Sequence, residues 1–321
     1  MTQDEMASIA AHERVAKSVV LVLVRTAGDG DEPIGVVSGS GFAVEPGLVV
    51  TNYHVVRSAE VVEVVTHSGD SERAEVVGTA PGFDLALLRV PFDTDALPSA
   101  PFGTSLDLRI GQRVLACSHP LGLQHSMTSG IVSGLRRRLP GLELGPSIIQ
   151  FDSALNPGQS GGPLVDTEGR VVGITTAKRL DAEGIAYAIP IDVVVRAIPD
   201  LKAMGHVFRP QLGLQGVAVD PDLARLFALP APRGFLVEEV EPGSPAHRAG
   251  LRAGTRHVAL RGRDFVLGGD LVVAANGVPI PGGDELLIRL LAARPGETIR
   301  LSVVTENGSR QVELLVPPMR H

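Results

Sequence analysis

The apolar positions of the chain fall into many short runs divided by turn residues. Val19 to Val24 is continuously apolar, the pattern of a strand buried on both faces. Val36–Val44 and Leu48–Thr51 flank Glu45-Pro46-Gly47, a hairpin-like turn. Runs at Glu60–Thr66, Arg73–Thr79 and Leu85–Val90 come next, with Ser68-Gly69-Asp70 and Pro81-Gly82 between them. Val114–Ser118, Met127–Leu135, Ile148–Phe151, Val171–Thr176 and Ile185–Ile189 continue the series. Strands this short and this frequent predict barrels or a sandwich, not an alternating βαβ sheet.

The period changes at Pro190, which can open a helix. Ile191, Val194, Val195 and Ile198 then recur at helical spacing, predicting a C-terminal helix at about 190–204 for the first domain. Gly205 to Pro210 reads as a linker, giving expected domains 1–205 and 206–321. The second mixes strands and helices. Asp284 can cap a helix carrying Leu286, Leu287, Leu290 and Leu291, and Thr298–Val304 alternates as a half-buried strand.

Composition narrows the function classes. Aromatic residues are only 3% with no Trp, so the cores must be built from Val, Leu, Ile and Ala. A net charge of −7 argues against a general nucleic-acid binder, which needs a basic face. The single cysteine, Cys117, rules out an intrachain disulfide and a cysteine-rich zinc site, and its strand-like run predicts a buried thiol. The first apolar run has six residues, too short for a secretory leader or a membrane span. As written the chain is expected in the cytoplasm without membrane insertion, or outside it if a leader has been trimmed.

Gly158-Gln159-Ser160-Gly161-Gly162-Pro163 carries the chemistry. It sets one serine among backbone-permissive residues, where the N–H groups of Gly158 and Ser160 can form an oxyanion hole. The stretch also fits the nucleophile elbow of α/β-hydrolases, but that elbow needs a helix after the serine, and here Pro163 and β-like residues follow. His54 and Asp84 precede Ser160, the His, Asp, Ser order of chymotrypsin-like enzymes. Each sits at a strand end, placing His54 and Asp84 on one barrel and Ser160 on a second. In that arrangement His54 takes the proton from Ser160, and Asp84 holds the imidazole tautomer. No metal or other cofactor is needed. His119 and His125 have no carboxylate at ligand spacing, and no phosphate-loop lysine follows Gly28-Asp29-Gly30.

These segments closely resemble the triad motifs of the HtrA/Deg serine proteases. The carriers are Thr51-Asn52-Tyr53-His54-Val55-Val56, Asp84-Leu85-Ala86-Leu87-Leu88 and Asn156-Pro157-Gly158-Gln159-Ser160-Gly161-Gly162-Pro163-Leu164. Gly39-Ser40-Gly41-Phe42, Ser129-Gly130-Ile131-Val132-Ser133 and Ile185-Ala186-Tyr187-Ala188-Ile189-Pro190 resemble further family segments. The resemblance implies a mainly β chain, a chymotrypsin-like double β-barrel followed by a small mixed α/β PDZ domain. Gln211-Leu212-Gly213-Leu214 resembles the PDZ carboxylate-binding loop, which receives C-terminal peptides as an added strand. The implied activity is ATP-independent cleavage of unfolded or damaged proteins. The rival reading is a PDZ-bearing chaperone or scaffold whose protease domain is mostly latent.

Several positions depart from the family pattern. Gln159 stands where asparagine is usual, and His119-Pro120 where Asn-Pro is usual. Ile185, Ala186 and Tyr187 match a substrate-binding wall in which Ala186 replaces a common glycine, which predicts a narrowed pocket for small aliphatic P1 residues. Thr255 to Gly268 reads as a lengthened loop. The family commonly forms homotrimers through N-terminal aromatic residues, yet this chain has none before Phe42.

Overall fold

In the computed structural model the chain divides into two units, Met1–Val207 and Phe208–His321. The residues described are 1–26, 35–119, 125–137, 148–176, 184–208, 210–260, 263–281, 286, 289–290, 293–305 and 307–318.

The first unit opens with α1 (Gln3–Ala16), an element absent from the sequence expectations. Thr2 Oγ1 accepts from the Glu5 N–H and Glu5 accepts from the Thr2 N–H, a capping box that the Thr-x-x-Glu spacing encodes. Two closed barrels then follow. The first joins β1 (Val19–Thr26), β2 (Gly35–Glu45), β3 (Leu48–Thr51), β4 (Val61–Val65), β5 (Ser71–Ala80) and β6 (Leu85–Arg89) in the order β1-β2-β3-β6-β5-β4. The second joins β7 (Arg113–Ser118), β8 (Ser126–Arg137), β9 (Ile148–Phe151), β10 (Pro163–Val165), β11 (Val171–Thr176) and β12 (Ala186–Pro190) in the order β10-β11-β12-β9-β8-β7. The short apolar runs thus form barrels, and closure leaves neither sheet an open edge.

Aliphatic side chains fill both interiors, as the scarcity of aromatics requires. Val20, Val49, Val64 and Leu88 anchor one cluster, and Val114, Leu164, Val132 and Phe151 the other. Each such side chain contributes about 1.5–3 kcal/mol when fully buried. Cys117 is buried in β7, and desolvation pushes its thiol up to about 12, so it behaves as a small apolar residue.

A helical turn, α2 (Tyr53–Val56), follows β3 and carries His54 one step beyond the strand end. The helix α3 (Ile191–Met204) runs through Pro199 to a left-handed cap at Gly205, and packs on β5, β6, β11 and β12.

The second unit is a sheet of β13 (Leu214–Val219), β14 (Gly234–Val240), β17 (Leu271–Ala275), β19 (Thr298–Thr305) and β20 (Gly308–Leu315), with β18 (Val278–Pro279) paired to β17. β13 is an edge strand, paired only with β14 among the described residues. The helices α4 (Pro221–Phe227) and α5 (Pro245–Arg248) are both side-chain capped, by Asp220 and Ser244.

The stretch read as a lengthened loop is a β-hairpin, β15 (Arg256–Leu260) with β16 (Arg263–Leu267). It is held because Phe265 and Leu267 are buried on one face, and the Phe265 ring lies 5.2 Å from that of Phe227. The helix expected from Asp284 falls mostly outside the described residues.

Candidate active site

The pairing of β3 with β6, Thr51 opposite Ala86, sets the residues after β3 against those before β6. His54 and Asp84 meet there. The Asp84 carboxylate accepts from the His54 backbone N–H at 2.9 Å, and its Oδ2 lies 2.8 Å from His54 Nδ1. Asp84 sits at φ 52°, ψ 44°, a left-handed conformation that aspartate and asparagine tolerate better than most residues. Two further bonds pin it: the Tyr53 N–H and Asn52 Nδ2 both donate to the Asp84 carbonyl, at 3.1 and 3.0 Å. A third partner comes from the other barrel, since Thr176 Oγ1 donates to Asp84 Oδ2 at 2.7 Å. Nδ1 facing a carboxylate carries the ring proton, which leaves Nε2 as the acceptor. The His54 side chain is 37% exposed and the Asp84 side chain 13%, so the pair opens to solvent on the imidazole side.

Ser160 is half-buried in the turn between β9 and β10. Its carbonyl accepts from the Ser40 N–H at 2.8 Å, and the Gly161 N–H donates to Thr175 at 2.8 Å. The Ser40 carbonyl accepts from Thr51 Oγ1 at 2.7 Å, three residues before His54. The serine turn is therefore tied to both the strand leading to His54 and the strand leading to Thr176. No hydrogen bond joins Ser160 to His54 among the described residues. The Gly158 and Ser160 N–H groups likewise donate to no described residue, as an oxyanion hole requires before substrate arrives.

Glycine is obligatory in this turn. Gly161 has φ 91°, and a Cβ there would stand 2.0 Å from the Ser40 carbonyl oxygen. Gly158 has φ 93°, and its carbonyl accepts from Ser40 Oγ at 2.8 Å.

Of the expected substrate-wall residues, Ile185 is half-buried, Tyr187 is buried, and Ala186 joins the interior cluster of the second barrel. In the second unit Gln211-Leu212-Gly213-Leu214 leads directly into the edge strand β13. The carbonyls of Leu212 and Gly213 accept from Ala246 and Glu241 at 2.9 and 2.8 Å. The N–H groups of Gln211, Leu212 and Gly213 donate to no described residue.

Sequence reasoning missed Ser40, Thr176 and the Gln159 side chain. Gln159 is buried; its Nε2 donates to Ser118 Oγ at 2.8 Å and its Oε1 accepts from the Asn156 N–H. Ser40 lies in the flagged segment Gly39-Ser40-Gly41-Phe42, whereas nothing local marks Thr176.

Residues 39–174 match the trypsin-like peptidase domain family, and residues 210–316 match the PDZ domain family. The putative serine protease HhoA of Synechocystis sp. is 36% identical over 290 residues, which cover 87% of this chain and 69% of HhoA. The chain belongs to the HtrA/Deg serine proteases. The chloroplastic Protease Do-like 1 of Arabidopsis thaliana is 34% identical over 88% of this chain. A probable periplasmic DegP-like serine endoprotease of Halomonas elongata is 36% identical over 87% of it. The chain spans 64% of the Arabidopsis protein and 56% of the Halomonas protein. Among solved structures, the HtrA-type protease AlgW with tripeptide gives a TM-score of 0.71 at 28% identity, covering 98% of both chains. The mainly β double barrel with a PDZ unit is thus the HtrA architecture, as the sequence implied.

Proposed function

We propose that this HtrA-family chain is a serine endopeptidase that cleaves unfolded or damaged proteins without ATP. The observation carrying the reading is the His54–Asp84 contact at 2.8 Å beside a serine turn whose Gly158 and Ser160 N–H groups are unengaged among the described residues. Ser160 Oγ attacks the scissile carbonyl carbon and its proton passes to His54 Nε2. Asp84 stabilises the imidazolium, and the Gly158 and Ser160 N–H groups receive the carbonyl oxygen as it becomes an anion. The proton then moves from His54 to the leaving amine as the C–N bond breaks, giving an acyl-enzyme. Water deprotonated by His54 releases the acid and restores Ser160.

The test is covalent capture. A fluorophosphonate probe is expected to add to Ser160, located by peptide mass, and casein digestion should disappear with the label in Ser160→Ala. An adduct elsewhere, or digestion that persists in Ser160→Ala, overturns the reading.

The family resemblance assigns Ala186 to the wall of the P1 pocket, although its side chain packs in the interior of the second barrel. A peptide-library cleavage profile should favour Ala, Val or other small aliphatic P1 residues, and a preference for Phe or Arg would refute this.

The second unit is proposed to recruit extended peptides or C-termini along the outer edge of β13, which pairs with no other described strand than β14, the carboxylate meeting the Gln211–Leu214 loop. AlgW, solved with a tripeptide and with a decapeptide, supports peptide as the ligand class. The missing Ser160–His54 hydrogen bond favours a second reading, a resting enzyme with chaperone-like binding whose triad closes on ligand arrival. A labelling rate that rises when a PDZ peptide is added distinguishes this state from one that is constitutively active. A homotrimer is the assembly the family implies, and sedimentation would then show three times 33.6 kDa. No helix among the described residues is long and apolar enough to cross a membrane. The relatives named periplasmic and chloroplastic favour a compartment outside the cytoplasm, to be settled by fractionation.

A further inference from the structure

Four histidines gather at the end of β7. His119 follows the strand and is buried, His125 precedes β8, His12 lies on α1, and His67 lies in the turn after β4. The His67 and His125 rings stand 4.0 Å apart, and those of His119 and His125 5.4 Å apart. The remaining polar side chains lining the His119 pocket are Cys117, Ser118 and Ser126; no carboxylate, lysine or arginine is among them. No three His, Cys, Asp or Glu side chains among the described residues are placed to hold a metal ion, so the chemistry this cluster offers is proton uptake.

The backbone of this segment is wired to the serine turn. The His119 N–H donates to Ser40 Oγ at 2.9 Å, and that hydroxyl donates to the Gly158 carbonyl at 2.8 Å. One residue earlier, Ser118 Oγ accepts from Gln159 Nε2 at 2.8 Å. Two hydrogen-bonded paths therefore run from the histidine cluster to residues 158 and 159. The His119 ring is tied to the residue that opens toward β8, because Nδ1 accepts from the His125 N–H at 3.3 Å. Its Nε2 is buried without a hydrogen-bond partner of good geometry among the described residues. A proton added to Nδ1 breaks the bond to His125 and puts a charge among three imidazoles, with no carboxylate among the described residues lining the pocket.

We propose that His119 is a positioning residue for the serine turn, and that protonation within the His12–His67–His119–His125 cluster releases the turn and disarms the site. The proposal rests on the serine protease reading and adds its regulation. Burial first, then the His125 charge, then His67, hold the His119 imidazole at about 4 against an ordinary 6.5, with the Val19 backbone pulling the other way. His125 is also held low, by burial and then by His67 and His12. The closed arrangement thus binds fewer protons than the opened one. It is fully favoured above about pH 6.5 and loses that advantage as pH falls toward 4, by at most roughly 300-fold for one proton.

The test compares the wild type with His119→Asn, whose amide oxygen can still accept from the His125 N–H but does not titrate. Fluorophosphonate labelling is measured from pH 7.5 to 4.5, each protein referenced to its own rate at pH 7.5. The wild type is expected to lose at least tenfold more of its rate by pH 4.5 than His119→Asn. Removing a charged neighbour through His125→Asn, a residue that suits φ 61°, should shrink the acid loss relative to the wild type, because less of the His119 depression remains to favour the opened form. Hydrogen exchange in Ser160→Ala, with and without His119→Asn, reads the turn without activity. Faster exchange over residues 156–162 at pH 5 is expected only where His119 is present. Superimposable labelling profiles together with equal exchange overturn the proposal. Absence of labelling at every pH overturns the protease reading instead, and the exchange comparison still decides whether the cluster controls the turn.

Discussion

Asp84→Asn is expected to lower kcat/KM by about 10⁴, or about 5 kcal/mol of transition-state stabilisation, with little change in thermal unfolding. Asparagine suits the left-handed φ of 52° at this position, so the backbone need not move. Its amide oxygen can still accept from the His54 N–H, which donates to Asp84 Oδ1 at 2.9 Å in the native chain. The amide nitrogen then faces Nδ1, forces that nitrogen to accept, and moves the ring proton to Nε2. An imidazole in that tautomer cannot take the Ser160 proton. Thr176 rotates its hydroxyl to suit, so the substitution isolates proton placement from packing. Steady-state kinetics on a fluorogenic peptide, with circular dichroism melting as the control, reads the effect. A loss below tenfold would remove Asp84 from the proposed machinery.

Gly161→Ala is expected to cost about 4 kcal/mol or more and to depress the melting temperature of the protease unit by about 10 °C or more. The substituted Cβ would stand 2.0 Å from the Ser40 carbonyl oxygen and 2.5 Å from Thr51 Oγ1. Both atoms are held, since Thr51 Oγ1 donates to that carbonyl at 2.7 Å inside the first barrel. Gly111→Ala is the internal control: φ is 88° there, with nothing within 4 Å of the added carbon. It carries only the dihedral strain, about 1–2 kcal/mol. Equal melting temperatures for the two variants would show that the serine turn is looser than these distances require.

The barrels were legible because a strand buried on both faces must be continuously apolar, as Val19–Val24 is. The His54, Asp84 and Ser160 segments were legible because each is a local string of residues with its own turn chemistry. Thr176 was not, because its value to Asp84 comes from the docking of β11 beside the first barrel, a contact between residues 92 apart. Ser40 was hidden in the same way: its side chain bridges Gly158 and His119, both distant in sequence. The β15–β16 hairpin was read as a loop although Phe265 and Leu267 share one face. Arg256 and Arg263 open its two strands, and only packing against α4 shows which face is inward. The first helix was overlooked for want of a strong apolar stripe, since only Ser8, Ala11, Val15 and Ala16 are buried, but Thr2 and Glu5 mark its start.

The acceptor imidazole and its carboxylate belong to one barrel, while the hydroxyl and the threonine that steadies the carboxylate belong to the next. On the proposed mechanism, the chain therefore emerges from the ribosome without a complete triad. A half-made copy holds a base with nothing to activate, and reactivity arrives only when the last strands of the second barrel close.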